Sequence, residues 1–169
     1  MNSELDGIGA TFDHAAVAAQ RIRDLLPVYQ DLLGGTFLYG GDNSRWGFRW
    51  LQLAYPDRTK IELLEALPGS AFLESFFART SGRGGPHHVT FAVRDIEAAL
   101  DRLSERGYRP HAVNLDDPSW REAFLHPKET HGTLVQLAQP GASYPPASGL
   151  TLDDVLTGRG EYGTGTQSP

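Results

Sequence analysis

His14-Ala15-Ala16-Val17-Ala18-Ala19 and His88-Val89-Thr90-Phe91-Ala92-Val93 are runs of one kind, a histidine leading a mostly apolar stretch, set 74 positions apart. The same offset carries Lys60-Ile61-Glu62-Leu63-Leu64 onto Leu134-Val135-Gln136-Leu137-Ala138. It also carries Ile22, Leu25 and Leu26 onto Ile96, Ala99 and Leu100, and Trp50-Leu51 onto Phe124-Leu125. Short apolar runs bounded by turn residues read as strands, and apolar residues spaced by three and four read as a helix face. Strand types and helix types thus repeat together, the sequence mark of a duplicated unit. In each copy a histidine stands 48 positions ahead of a longer oxygen-bearing side chain: His14 before Glu62, and His88 before Gln136. These are two pairs of candidate metal ligands offered to a shared centre.

Each copy reads as βαβββ. The first module occupies 11–80 and includes a linking helix; the second occupies 81–139. A leader, 1–10, precedes them, and a Gly/Pro-rich tail, 140–169, is expected to be partly disordered, with one helical turn at Thr151-Leu152-Asp153-Asp154-Val155-Leu156 able to dock on the body. In the first module a helix over about 18–33 presents Ile22, Leu25, Leu26, Tyr29, Leu32 and Leu33 on one side and ends at Gly34-Gly35. Pro27 lacks a backbone donor and is expected to kink or divide that helix. Strands follow at about 36–39, 45–55 and 60–67, the last two joined by the turn Pro56-Asp57-Arg58. Ser70 is placed to cap a short helix bearing Phe72, Leu73, Phe76 and Phe77. In the second module Asp95 caps a helix with Ile96, Ala99, Leu100 and Leu103 on one face, and Gly107 ends it. Strands are expected near 110–114, 123–126 and 133–138.

Composition narrows the function. The 169 residues carry a formal net charge of −6, which disfavours a nucleic-acid partner because such binding normally shows itself as a basic surface patch. A small-molecule ligand is the expectation. Cysteine is absent, so any metal is held by nitrogen and oxygen. No long uncharged apolar run suggests a membrane span, and Met1-Asn2-Ser3-Glu4-Leu5-Asp6 does not resemble a signal peptide, so the expected location is the cytoplasm.

Taken in order, Asp13-His14, Lys60-Ile61-Glu62-Leu63-Leu64-Glu65, His87-His88-Val89, Asp95-Ile96-Glu97-Ala98-Ala99-Leu100 and Phe124-Leu125-His126-Pro127-Lys128 resemble the vicinal oxygen chelate superfamily of glyoxalases, bleomycin-resistance proteins and dioxygenases. Within it the pattern is most similar to methylmalonyl-CoA epimerases, over about 11–139. The resemblance implies an α+β fold, two tandem βαβββ modules forming a cupped mixed sheet, with one divalent metal ion bound by His14, Glu62, His88 and Gln136. Zinc, cobalt, nickel, manganese and iron all suit two imidazoles, a carboxylate and an amide oxygen. It implies a carbonyl-bearing substrate, with a CoA thioester the first choice, and a homodimer, since many relatives pair modules across subunits.

Two positions depart from the epimerase pattern. Those enzymes usually carry a glutamate where this chain has Gln136, and an amide has no useful basicity near neutral pH. They also carry an acidic pair followed by Gln-Gly where this chain reads Ser44-Arg45-Trp46-Gly47-Phe48. A carboxylate survives in the other module as Glu62, the candidate for moving the proton. Trp46, Phe48, Trp50 and Trp120 suggest an aromatic pocket, and His131 in the Glu129-Thr130-His131-Gly132 loop could approach a substrate. Three chemistries stay open. An isomerase or lyase would stabilise an enolate through the metal; a non-heme iron dioxygenase would use His14, His88 and Glu62 as its triad; a non-catalytic binder would use the aromatic cavity alone. Each residue also has a plain structural role available. A lone strand histidine commonly bonds backbone, Glu62 could face solvent, and the aromatic residues near 46–50 are more often core than binding platform. His87, adjacent to His88 in a strand, should face away from it, and Glu65 should face away from Glu62.

Overall fold

The computed structural model describes residues 8–142, 144 and 149–161. Most of the expected leader and the end of the expected tail lie outside the described residues. Eight strands form one mixed sheet: β1 (Thr11–Ala18), β2 (Thr36–Asn43), β3 (Phe48–Ala54), β4 (Lys60–Ala66), β5 (Gly85–Ala92), β6 (His111–Asn114), β7 (Trp120–Leu125) and β8 (Leu134–Pro140), in the order β2-β3-β4-β1-β5-β8-β7-β6. Three helices, α1 (Glu74–Arg79), α2 (Ile96–Glu105) and α3 (Leu152–Leu156), complete the described elements with two helical turns. Contacts divide the chain into two compact units. One gathers the described residues through His14 with those from His88 to 144; the other gathers Ala15–His87 with 149–161. None of the helices among the described residues is long and apolar enough to cross a membrane.

In the unit built on Ala15–His87, the second half of β1 runs parallel to β4, with Ala16 opposite Glu62, and β4 is antiparallel to β3, with Gln52 opposite Glu62. Asp57 closes the β3–β4 hairpin: its Oδ1 accepts from the Thr59 amide and hydroxyl. Alternation then sends the strand residues to two faces. One face packs Ala16, Ala18, Trp50 and Leu64 against Leu73 and Phe76; the other packs Val17, Leu51, Leu53 and Leu63 against Ile22 and Val155. Trp50 therefore belongs to the core, and Phe48 stacks on Phe72 with ring centroids 4.4 Å apart.

The helix expected over 18–33 is replaced by a 3-10 turn at Ile22–Asp24 and a π-helix at Pro27–Leu32. Pro27 explains the division, because it cannot donate to the preceding turn and is tolerated only where a helix begins. The Leu33 amide then reaches back to the Val28 carbonyl, the wide π spacing, and Gly34 leaves the segment at φ 77°. Ser70 does not cap α1; its hydroxyl accepts from the Phe72 amide, ahead of the helix. The segment expected as a tail contains α3, capped by Thr151 and Asp154 in a reciprocal capping box, with Val155 fully buried in the core of this unit.

The other unit repeats the strand plan. β5 runs parallel to β8, with Thr90 opposite Gln136, and β8 is antiparallel to β7, with Phe124 opposite Gln136. The Asp95 side chain accepts from the Ala98 amide and caps α2, which seats Ile96 and Ala99 against Val93, Ala123 and Leu137. Gly107 follows at φ 86°. The register revises one correspondence. Gln52 pairs with Glu62 across ten positions, whereas Phe124 pairs with Gln136 across twelve, because the second hairpin has a longer loop. The structural counterpart of Trp50 is therefore Glu122, not Phe124.

Candidate metal centre

His14 lies on β1 two residues before Ala16, and His88 lies on β5 two residues before Thr90, so each histidine shares a face with the small residue opposite the oxygen donor of its own module. In the unit containing both histidines, their rings meet edge to face with centroids 5.8 Å apart. His14 is 1% exposed and His88 8%. Behind His14, Asp13 Oδ1 lies 2.6 Å from Nδ1, a carboxylate that accepts from Nδ1–H and leaves Nε2 as the nitrogen without a proton. His14 Nε2 is 3.1 Å from the Thr90 hydroxyl, which donates to Gln136 Oε1 at 2.6 Å. Gln136 Nε2 in turn donates to Glu122 Oε2 at 2.5 Å, and Trp120 Nε1 donates to the same oxygen at 3.0 Å.

In the other unit Glu62 is buried, and its Oε2 accepts from Gln52 Nε2 at 3.2 Å. Gln52, 1% exposed, accepts from the Tyr39 hydroxyl at 2.8 Å. Burying a carboxylate and two amides costs free energy unless each is hydrogen-bonded, and here the bonds are supplied by strand neighbours. Glu65 faces away from Glu62, as alternation requires: it binds Arg49 Nη1 and accepts from the Ile22 amide.

His14, Glu62 and His88 are all buried, and each is of a residue type that binds metal. Two imidazoles and a carboxylate, with the neutral oxygen of Gln136 accepting from the Thr90 hydroxyl beside His14, are the donor chemistry of a borderline divalent cation. The residues fit such an ion.

The aromatic residues expected around a substrate have neighbours of their own. Trp46 is 44% exposed on the turn after β2, with the Arg45 guanidinium 5.3 Å from its ring centroid. Trp50 meets Tyr39 edge-on at 5.8 Å and so supports the Tyr39–Gln52–Glu62 series from within the core. Trp120 packs on Tyr144 and bonds Glu122. His131 is an exposed loop residue at φ 55°, lining a cavity of about 430 Å³ with Leu103, Arg106 and Tyr108. His87 packs against Phe72 and Phe76, and burial together with Arg79 lowers its pKa to about 4.

Three partners escaped the sequence reading: Gln52, Thr90 and Glu122. A signal existed for the first, because a hairpin centred on Asp57 sets residue 52 opposite 62. Thr90 is the repeat counterpart of Ala16, and its hydroxyl was legible only as one more strand residue.

Strand order, paired modules and donor set define a class. The chain belongs to the Glyoxalase/Bleomycin resistance protein/Dioxygenase superfamily, whose sequence profile matches residues 13–124. It is 33% identical over 132 residues to the ethylmalonyl-CoA/methylmalonyl-CoA epimerase of Cereibacter sphaeroides, covering 75% of this chain and 96% of that protein. The crystal structure of methylmalonyl-CoA epimerase from Mycobacterium tuberculosis is similar with a TM-score of 0.69 at 27% identity, covering 80% of this chain and 91% of that one. A variant of Streptomyces coelicolor methylmalonyl-CoA epimerase in complex with 2-nitronate-propionyl-CoA gives 0.65 at 25% identity, covering 78% and 97%.

Proposed function

We propose that the protein is a divalent-metal-dependent isomerase or lyase that moves the proton on the carbon beside the thioester carbonyl of an acyl-CoA. The observation that carries this reading is the buried set His14, Glu62 and His88, each member of a type that binds metal. The acyl-CoA follows from the relatives, which are named as acyl-CoA epimerases, one of them in complex with a CoA thioester analogue.

A divalent ion bound there supplies Lewis-acid stabilisation of the enolate oxygen. The chain's own residues supply the rest. Asp13 fixes the tautomer of His14, so Nε2 is the nitrogen presented for coordination. Glu62 removes the proton: the carbon–hydrogen bond breaks, its electron pair moves to the carbonyl oxygen, and the proton passes to the carboxylate. Gln52, itself held by Tyr39, keeps that carboxylate oriented through Oε2. Return of a proton to the opposite face gives the epimer; return to the same face gives exchange alone.

The test is proton NMR of methylmalonyl-CoA in deuterium oxide with protein loaded with cobalt or zinc. Deuterium should enter at the carbon beside the thioester, and Glu62→Gln should slow this at least about a hundredfold, the usual scale for a proton-transfer group. No incorporation with any of zinc, cobalt, nickel, manganese or iron would refute the reading. Oxygen uptake by the iron form would instead favour a dioxygenase, which the two-histidine, one-carboxylate set also suits.

A further inference from the structure

We propose that Glu122 is a positioning residue that dictates which end of the Gln136 amide faces the histidines. A glutamine amide carries an acceptor at one end and two donors at the other, and the two ends differ little in shape. A metal requires the oxygen. Nothing in Gln136 alone selects it.

Glu122 does. An ionised carboxylate only accepts hydrogen bonds, so the group of Gln136 directed at it must be the NH2, as found at 2.5 Å. Oε1 is thereby turned toward Thr90, whose hydroxyl donates to it at 2.6 Å and lies 3.1 Å from His14 Nε2. The flipped amide would set its oxygen against the carboxylate and lose that bond, whereas the Thr90 hydroxyl, which can donate or accept, would tolerate either end, so the choice falls to Glu122. Trp120 keeps Glu122 in place, since its indole N–H binds the oxygen that receives Gln136. The strand register makes the pairing local. Glu122 stands opposite Ala138 and Gln136 opposite Phe124, so Glu122 and Gln136 are diagonal neighbours on one face of β7 and β8. Every member of the series Trp120, Glu122, Gln136, Thr90, His14 and Asp13 belongs to one unit of the molecule. The residue has no equivalent in the other module, where Trp50 takes the corresponding place and the oxygen donor is a carboxylate with no wrong end to exclude.

The role of Gln136 as a ligand rests on the proposed metal-dependent function, so the test separates the two. Side-chain amide NMR of metal-free protein reads the orientation directly. Gln136 should show one ordered, slowly exchanging NH2 in the parent and in Glu122→Gln, whose carbonyl oxygen can still accept, and a rapidly exchanging, averaged one in Glu122→Leu. Cobalt titration by calorimetry reads the consequence: Glu122→Leu should weaken binding by about ten- to a hundredfold, and Glu122→Gln should restore it to within about threefold. An ordered Gln136 amide in folded Glu122→Leu would overturn the proposal, as would a loss in Glu122→Gln equal to that in Glu122→Leu, which would make charge rather than orientation the cause. A parent that binds no cobalt but shows the expected NMR pattern would refute the metal reading while upholding the positioning role.

Discussion

At the scale of single residues, the two modules offer oxygen donors of different kinds and give each a different partner. Glu62 is anionic and receives an amide from Gln52; Gln136 is neutral and receives a carboxylate from Glu122. Removing the amide from Glu62 leaves a buried carboxylate short of a donor. Gln52→Leu should therefore cost about 1–3 kcal/mol of stability in urea unfolding of the metal-free protein, with Gln52→Glu worse because two carboxylates would face each other. His87 gives a pH prediction. Its folded pKa of about 4 lies below the ordinary 6.5, so the unfolded chain binds the extra proton over the interval between them. Stability contributed by the neutral, buried ring is complete above about pH 6.5 and is lost as pH falls toward 4, by about 3 kcal/mol in all. Urea midpoints for the parent and His87→Leu, measured with chelator at pH 7.5 and 4.5, should show a smaller acid loss in the variant.

Among the elements, the strands were the most legible and the first helix the least. Alternating and continuous apolar runs specify strands through burial, and the 74-residue offset carries Glu62 onto Gln136 at matching register positions, opposite Ala16 and Thr90, because duplicated strands keep their faces. The segment 18–33 carries a good helix face, yet Pro27 removes a donor in its middle, and the backbone answers with a 3-10 turn and a π-helix that no apolar spacing announces. Cross-strand partners such as Glu122 were hidden for another reason: their neighbours are set by register, and a longer second hairpin shifts the correspondence that a fixed offset assumes. Arg49 shows the same dependence on pairing. From β3 it binds Asp42 on β2 through two nitrogens and Glu65 on β4 through a third, and the Asp42 bond is the main cause of its raised pKa. Arg49→Ala strands two mostly buried carboxylates and should cost about 3 kcal/mol or more in urea unfolding, beyond an exposed-arginine control such as Arg23→Ala. Thr151→Ala removes the hydroxyl that accepts from the Asp154 amide, one of the two bonds of the α3 capping box, and should cost about 1 kcal/mol by the same measurement.

For the whole molecule, the proposed chemistry draws on His14, His88 and Glu62. The superfamily match and the epimerase relatives fix the class of protein. A bound ion should stabilise the folded chain by mass action, about 2.7 kcal/mol at a hundred times its dissociation constant, so thermal melts should rise with added cobalt and fall back with chelator. Elemental analysis of tag-free protein reconstituted with zinc or cobalt, beside His14→Ala and Glu62→Ala, tests the metal centre most directly. One ion per chain in the parent and a marked loss in both variants is the expected result; a folded parent that retains no ion, or variants that retain it fully, would contradict the metal-dependent function.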